Sequence, residues 1–222
     1  MTYSYTGAHG FVQAHDSGTA TSTYDSTGAD LIGVSTATWG QTVTFTDSKG
    51  NTFTAETESG SGGNFRSQIS YCQAPTVGTG HYQSGSVIGF CIFAACFSGS
   101  VSSPADQQNQ HQTTSSATCT TGSITPSADN CLILASVGGG DAGFSQTISI
   151  DSGFTITDDA GQGQYFAGQA GGGLAYLIQT SASAVNPTWT SGGTADGIAA
   201  AIGSFKTSGG GGGDSLFGQM CM

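Results

Sequence analysis

Basic side chains are scarce in this sequence. Only Lys49, Arg66 and Lys206 carry a fixed positive charge, against 14 acidic residues, so the 222-residue chain has a formal net charge of −11. Three cations cannot neutralise a run of phosphates, which argues against nucleic-acid binding. An acidic surface is also repelled by anionic membranes. The charge balance therefore predicts neither a nucleic acid nor a membrane as a partner.

Long hydrophobic runs are absent as well. The longest candidate, at residues 87–97, is interrupted by Gly89 and falls short of the roughly 18 residues that a membrane span needs. Residues 1–10 contain neither a basic region nor an apolar stretch, so they do not have the pattern of a secretory signal peptide. We expect a protein that folds in a cytoplasm, or one from which a signal has been removed.

Motifs that carry enzyme chemistry are missing too. There is no GxSxG nucleophile turn, no HExxH zinc motif and no Walker motif. Residues 138–143 match GxGxxG, but a strand pattern follows them where dinucleotide binding needs a helix. Glu56 and Glu58, the only glutamates, lie on one face of a predicted strand and cannot flank a sugar ring as in a glycosidase. The sequence predicts a non-enzymatic protein without catalytic residues.

Six cysteines and four histidines are present, but not at metal-ligand spacing. The cysteines lie mostly in apolar, strand-like runs, which favours free buried thiols, with one or two disulfides as the alternative. No cofactor is predicted. A bound calcium ion is the one metal left open, because Asp158 and Asp159 begin a turn-like loop and Asp47 and Asn51 could also supply oxygens.

Glycine is abundant, at 37 residues, and clusters of Gly, Ser, Asn and Asp separate short apolar or alternating runs. This pattern is typical of an all-β sandwich or barrel. Strands are predicted at residues 10–14, 20–24, 30–36, 42–46, 52–58, 66–73, 87–97, 117–124, 131–137, 147–150, 154–157, 173–180, 186–190 and 197–206. Asp47 and Gly50 suit a turn between two alternating segments, so residues 43–55 are predicted to form a hairpin.

An internal repeat is visible at an offset of about a hundred residues. Residues 26–32 resemble residues 126–133, each a polar turn with Ala-Asp before an apolar strand. Further counterparts follow in the same order, with residues 50–54, 69–72 and 92–98 matching residues 153–157, 175–178 and 198–205. Two β-halves that pack face to face are one way to make a sandwich. We therefore expect an all-β, jelly-roll-like antiparallel sandwich with two pseudo-repeated halves.

The domain organisation follows from composition. Residues 1–206 are expected to form a single β-sandwich domain, with residues 1–9 as an N-terminal arm. Residues 207–222 form a Gly-rich tail of flexible composition with a mildly apolar end, which we interpret as an assembly element. Aromatic and apolar anchors dominate interface energies. The predicted contacts with neighbouring subunits are Tyr3, Tyr5, Phe11, Leu216, Phe217 and Met220.

Aromatic side chains could also form a platform for a glycan. The candidates are Trp39, Trp189, Tyr3, Tyr5, Tyr24, Tyr82 and Tyr165. Trp189 alternates with threonines in a predicted strand and is expected to face the core. Trp39 lies in a connection and is expected to be exposed.

Five turn-and-strand segments carry a resemblance to a known kind of domain. They are STGADLIGVS (26–35), TFTDSKGNTFT (44–54), FAACFSG (93–99), SITPSADNCLILA (123–135) and ADGIAAAIGSFK (195–206). Together they resemble the jelly-roll-like β-sandwich domains of bacteriophage virion structural proteins and bacterial surface proteins. The resemblance covers residues 10–206 and implies a structural or binding role with no catalytic residues. The Gly-rich tail departs from the usual domain.

These observations predict a virion structural protein, a capsid decoration (cement) or appendage subunit that acts through subunit–subunit contacts. Its expected partners are the major capsid protein or other virion proteins and further copies of itself. Such a protein is assembled in the host cytoplasm and resides in the virion. The alternatives are a bacterial surface or extracellular filament subunit and a carbohydrate-binding module.

Overall fold

The computed structural model describes residues 2–14, 17–60, 65–140, 144, 147–160 and 170–207. These residues are all-β, as predicted, and include no helix long and apolar enough to cross a membrane. Their strands are β1 (Ser4–Ala14), β2 (Leu31–Trp39), β3 (Phe45–Asp47), β4 (Thr54–Ala55), β5 (Phe65–Gln73), β6 (Gln83–Gly85), β7 (Phe90–Ser98), β8 (Ser100–Thr120), β9 (Cys131–Gly140), β10 (Ser149–Ile150), β11 (Thr155–Ala160), β12 (Gly171–Gln179) and β13 (Thr188–Thr207).

Most strands belong to two antiparallel sheets. Sheet 1 has the order β1-β7-β2-β5-β4. In sheet 2, β13, β9, β12 and β11 follow one another, β8 runs along β13, and β10 pairs with the first residues of β13. Strands β3 and β6 form a separate two-stranded sheet. The second half of the chain, from β8 onward, thus builds its own sheet.

The two large sheets pack face to face around one hydrophobic core. Both sheets contribute large side chains to it, including Leu31, Ile69, Phe93 and Phe97 from sheet 1 and Leu132, Leu134, Leu174 and Phe205 from sheet 2. This arrangement confirms the predicted sandwich. The halves share this core, so each buries its inner face against the other.

The central strands are buried on both faces. In β2, Leu31 belongs to the core between the sheets, whereas Ile32 and Val34 belong to a cluster on the outer face. The outer face of sheet 2 is covered in the same way, by a cluster that includes Trp189 and Ile148. A strand buried on both faces needs apolar residues at consecutive positions. This explains why β7 and β9 are near-continuous apolar runs, and why the polar residues of β2 are the small Ser35, Thr36 and Thr38.

The predicted internal repeat is confirmed by the strand order. When β1, β7, β2, β5 and β4 are replaced by β8, β13, β9, β12 and β11, the order of sheet 1 becomes the order of sheet 2. An isolated bridge also recurs, since Tyr24 and His81 pair in the first half and Ile124 and Val185 in the second. Each half therefore repeats one topology.

The pairing register repeats as well. Leu31 lies between Phe97 and Gln73 in sheet 1, and Leu132 lies between Phe205 and Ile178 in sheet 2. Both central leucines thus face a phenylalanine on the equivalent neighbouring strand.

Aromatic contacts across the core are reciprocal. Tyr71 of the first half packs edge-on against Phe205 of the second, with ring centroids 5.1 Å apart and an interplanar angle of 67°. Tyr176 of the second half packs against Phe97 of the first at 5.5 Å and the same angle of 67°. A pseudo-two-fold relation between the halves accounts for this exchange of contacts.

Small side chains allow a close approach between the sheets. Ser67 Oγ donates to Ser136 Oγ at 2.8 Å, and Ser35 Oγ donates to the Gly173 carbonyl at 3.2 Å. A Cβ atom on Gly138 would lie 2.4 Å from the Arg66 carbonyl oxygen. The backbones therefore meet where no larger side chain fits.

The prediction that residues 43–55 form a hairpin is wrong. Its turn forms, because Gly50 N donates to the Asp47 carbonyl at 3.0 Å. The two arms then diverge, since β3 pairs with β6 whereas β4 pairs with β5. Phe45 and Phe53 still meet edge-on at 5.1 Å between centroids. The alternating apolar residues of the two arms thus pack in one hydrophobic cluster, although the arms do not pair in one sheet.

Three other predictions need correction. Residues 4–9 belong to β1 and do not form a separate arm. Residues 20–24 contribute isolated bridges and no strand. Strand β8 starts at Ser100, well before the predicted segment 117–124, because its polar sequence lacks the apolar alternation that marks a half-buried strand. The tail at residues 208–222 lies outside the described residues.

The close approach at Gly138 predicts a stability difference between two glycine substitutions. Gly138→Ala forces the Cβ atom against backbone of the other sheet and should destabilise the fold by about 1–3 kcal/mol. Gly203→Ala is the control, because its Cβ would meet ring atoms of Phe205 at an ordinary 3.7 Å. We expect a change below about 1 kcal/mol there. Urea unfolding measures both, and equal effects would contradict the packing argument.

Candidate functional site

The turn at Asp47 is built by the carboxylate itself. Asp47 Oδ1 accepts hydrogen bonds from the backbone amides of Lys49 at 2.9 Å and Asn51 at 3.2 Å. The Asn51 side-chain amide also donates to this oxygen, at 3.1 Å. Aspartate at the first turn position offers this bonding locally, which is why the turn could be predicted.

Behind the turn lies a buried Ser-His-Asp chain that no sequence motif indicated. Asp47 Oδ2 lies 2.6 Å from His81 Nε2, and His81 Nδ1 lies 2.8 Å from Ser26 Oγ. The Tyr24 ring stacks on the imidazole at 5.0 Å, and Gln83 donates to Asp47 Oδ2 at 2.9 Å. The residues come from three distant segments, so their assembly depends on the fold.

This chain of residues is placed for structure and not for nucleophilic attack. The side chains of His81 and Asp47 are 0% and 1% exposed, and Ser26 is 0% exposed. Ser26 Oγ also bonds the Gly78 backbone, as donor to the carbonyl at 3.2 Å and as acceptor from the amide at 3.0 Å. A substrate carbonyl has no route to this oxygen, which joins the Ser26 loop to the segment at residues 78–81, and His81 links that segment to the Asp47 turn.

The electrostatics of Asp47 fit this structural role. Burial alone would raise the pKa of its carboxyl group. Hydrogen bonds from His81, Gln83 and the amides of Asn51 and Lys49 outweigh burial, so the pKa lies below its ordinary value. The ionised carboxylate is therefore stabilised only in the folded chain.

The other acidic residues considered from sequence are dispersed. Glu58 forms an ion pair with Arg66, and burial raises the pKa of Glu56. Asp158 Oδ2 lies 3.1 Å from His9 Nδ1, while burial and the Asp158 charge raise the pKa of Asp159. Within the described ranges, no group of three or more His, Cys, Asp or Glu side chains is placed to hold a metal ion.

The glycine motif at residues 138–143 has no cleft at its described positions. Gly138, Gly139 and Gly140 belong to strand β9. A Cβ atom on Gly139 would lie 2.3 Å from the ring of Phe144, so this backbone is covered by a side chain. Residues 141–143 lie outside the described residues.

The described cysteines are buried free thiols, as favoured from the sequence. They are Cys72, Cys91, Cys96, Cys119 and Cys131. Burial raises the pKa of Cys96 to about 12 and that of Cys119 to about 11. Such thiols are poor nucleophiles and poor metal ligands.

The aromatic residues predicted as N-terminal anchors pack within their own chain. Tyr3 is 2% exposed and its hydroxyl donates to the Lys206 carbonyl at 3.1 Å, so it is a core residue and not an exposed anchor. The Phe11 ring stacks on Phe93 at 5.1 Å, and Tyr5 packs between Phe97 and Tyr176. Contact of the half-buried Tyr5 and Phe11 with a neighbour stays a prediction. The tail anchors Leu216, Phe217 and Met220 lie outside the described residues.

The two tryptophans are placed as predicted. Trp189 is 1% exposed, within the apolar cluster on the outer face of sheet 2, whereas Trp39 is 52% exposed at the end of β2. Ile88, which is 56% exposed, precedes β7 at the same end of sheet 1. Tyr24 is buried in the network described above, Tyr82 is exposed, and Tyr165 lies outside the described residues.

Strand β8 presents the largest free strand edge. Across the part of the chain that the structure describes, it pairs with β13 alone. Residues 107–120 contain no Asp, Glu, Lys or Arg, and residues 108–111 are exposed. Ser59 Oγ donates to the His111 carbonyl at 2.6 Å, Thr57 N donates to Gln108 Oε1 at 2.5 Å and Asn109 Nδ2 donates to the Ser123 carbonyl at 2.8 Å. No strand of the described ranges pairs along this edge. A long uncharged edge is a template for pairing with another chain.

The equivalent edge in the first half is closed at its centre. Ser22 N donates to the Phe11 carbonyl at 3.0 Å, and Phe11 N donates to Ser22 Oγ at 3.2 Å. The segment after β1 thereby covers its outer edge. The segment after β8 contacts its strand through the side chains of Asn109 and Asp106, and no backbone–backbone hydrogen bond closes the outer side of β8 within the described residues. This difference makes β8 the candidate contact surface.

The buried pair predicts how stability depends on pH. Because the folded-state pKa of Asp47 is depressed, its contribution is present above the pKa of an unfolded aspartate, near 3.8, and is lost as pH falls through the lower folded value. Asp47→Asn should cost about 1.5–3 kcal/mol at pH 7 because it removes the charge that strengthens the hydrogen bonds from His81, Gln83 and the turn amides. The difference from the unmodified protein should shrink below pH of about 4. Urea unfolding from pH 7 to 3 measures it.

Asp196→Asn is the matched control, because that aspartate is exposed. It should change stability by less than about 0.5 kcal/mol. A loss at Asp47 no larger than at Asp196, or one that does not vary with pH, would contradict a structural role for the network.

Comparison with protein-family models gives no match, and comparison with curated protein sequences gives none either. No role is therefore transferred to any residue from a relative. The functional argument depends on what the described surface can contact.

Proposed function

We propose that this chain is a non-enzymatic virion structural protein, a capsid decoration or appendage subunit that acts through contacts between subunits. The observation that carries the proposal is the free edge of β8 on a doubly buried, internally duplicated sandwich. The shared core and the close sheet contact make a stiff unit, because close-packed interiors have low compressibility. A stiff subunit with an unpaired strand edge is suited to assembly with neighbouring subunits.

The strand order of each half supports a jelly-roll-like architecture. In the first half, β1, β7, β2 and β5 form one layer, while β3, β6 and the bridged residues Ala20 and Tyr24 form the other. Strands that alternate between two layers are also a feature of double-sheet jelly rolls, which occur in viral capsid and lectin domains. The argument is one of fold analogy and concerns architecture first.

The contact we propose is continuation of sheet 2 by a neighbouring subunit. The chain carries a net charge of −11, so two copies approach most easily where charge is absent. Residues 107–120 of β8 provide such a stretch. Main-chain hydrogen bonds along an added strand would give affinity, and the Gln, Asn and Thr side chains would give register.

Mass spectrometry across a density gradient of virions tests the role. Chymotrypsin replaces trypsin, because three basic residues yield few tryptic peptides. We expect peptides of this chain to sediment with capsid protein and DNA. Peptides confined to a filament or matrix fraction without DNA would overturn the virion role and favour a surface filament subunit.

Charges placed on the β8 edge should block the proposed contact. Gln110→Lys combined with Thr114→Lys adds two cations to exposed positions, and lysine is a common guard of natural edge strands. We expect a lower oligomeric state by size-exclusion chromatography with light scattering. Ser181→Lys on an exposed loop is the control and should leave assembly unchanged. Unaltered assembly in the double variant would exclude β8 as the contact.

A further inference from the structure

A groove of about 670 Å³ opens on the outer face of sheet 1, between the diverging arms of the turn at residues 47–51. Strand β5 contributes Gln68 and Ser70 to it, on the face opposite to the core residue Ile69. Phe45 and Phe53 contribute the edge-on ring pair. The volume lies within the range of sites that hold small ligands.

Several polar groups in the groove are left available. Gln68 is held in place because its Nε2 donates to the Glu56 carbonyl at 2.9 Å. Its Oε1 and the hydroxyls of Ser70, Thr46 and Thr52 make no hydrogen bond with any residue in the described ranges. The groove thus combines apolar ring surface with unused hydrogen-bonding groups.

The same surface in the second half is closed. The inward pair Phe45–Gly85 of the first half corresponds to the pair Ile150–Trp189 of the second. The Trp189 ring lies over Gly173, with 3.4 Å between a ring carbon and the Cβ position. By strand register, Gly173 of β12 corresponds to Gln68 of β5. One half fills this space with an indole, whereas the other leaves it open.

The electrostatics of the groove favour an uncharged ligand. Its one lining carboxylate, Asp47, is 1% exposed and fully engaged by His81 and the turn amides. The remaining lining side chains are hydroxyls, amides and apolar groups. An apolar ligand would leave the polar groups of Gln68 and Ser70 unsatisfied, which is costly. The net charge of −11 disfavours anions.

We propose that this groove binds a neutral oligosaccharide. A pyranose ring has an apolar face of C–H groups, which suits the exposed part of the Phe53 ring, and hydroxyl edges, which suit Gln68 and Ser70. An extended peptide fits less well, because the strands that border the groove, β3 and β4, are three and two residues long and offer few backbone groups.

Binding is tested with the full chain on an array of neutral oligosaccharides, namely malto-, cello-, xylo- and mannohexaose, followed by calorimetry on any hit. We expect at least one to bind. Phe53→Ala should weaken binding roughly tenfold through loss of ring contact. Gln68→Leu keeps the side-chain volume close and should weaken binding by a similar factor through loss of the amide. Circular dichroism checks that each variant folds. If Phe53→Ala does not fold, the binding measured for Gln68→Leu tests the proposal.

Trp39→Ala is the control, because this exposed ring is the alternative glycan platform and does not line the groove. It should leave binding unchanged. Binding that is lost in Trp39→Ala but retained in Gln68→Leu would overturn the proposal. Absence of binding to every neutral oligosaccharide at millimolar concentration would also overturn it, as would binding to charged glycans or extended peptides alone.

Discussion

The close contact between the inner faces of the two sheets determines the rest of this structure. Where Gly138 meets the backbone at Arg66, and where Ser67 meets Ser136, no side chain larger than those present fits. The glycines there also leave room for large rings, since Phe65 packs on Gly140 and Phe93 on Gly172, while phenylalanine and tyrosine rings of both halves meet at the other end of the interface. Because each half completes the core of the other, the central strands are buried on both faces and tolerate few polar residues.

The duplicated halves share one strand topology but differ in the residues that cover their outer faces. The second half covers its outer face with Trp189 and aliphatic side chains. The first half places a polar network at the equivalent level and leaves a groove beside it. The edges differ in the opposite sense, since the backbone of Ser22 bonds β1 whereas no backbone–backbone hydrogen bond closes the outer side of β8 in the described residues. In our two proposals, the ligand contacts the first half and the neighbouring subunit contacts the second.

The sequence was sufficient for those parts of the fold in which local pattern and burial agree. Strands β7 and β9 are apolar because they are buried on both faces, β5 alternates between buried and partly exposed residues, and the repeat was visible because both halves bury equivalent strands. Strand β8 was largely missed because an exposed polar strand has no apolar period. The arms of the turn at Asp47 were assigned to one hairpin because alternation does not specify a partner. The network of Ser26, His81 and Asp47 joins segments that are distant in sequence, so no local sequence pattern predicts it.

The buried thiols have a consequence for the chemistry of the mature protein. Disulfide exchange and oxidation proceed through the thiolate, and burial raises the pKa of Cys96 and Cys119 to about 12 and 11. The described cysteines therefore react slowly because few thiols are ionised, and packing also keeps reagents away from them. The five described cysteines therefore keep the same covalent state when the folded chain passes from a reducing to an oxidising medium.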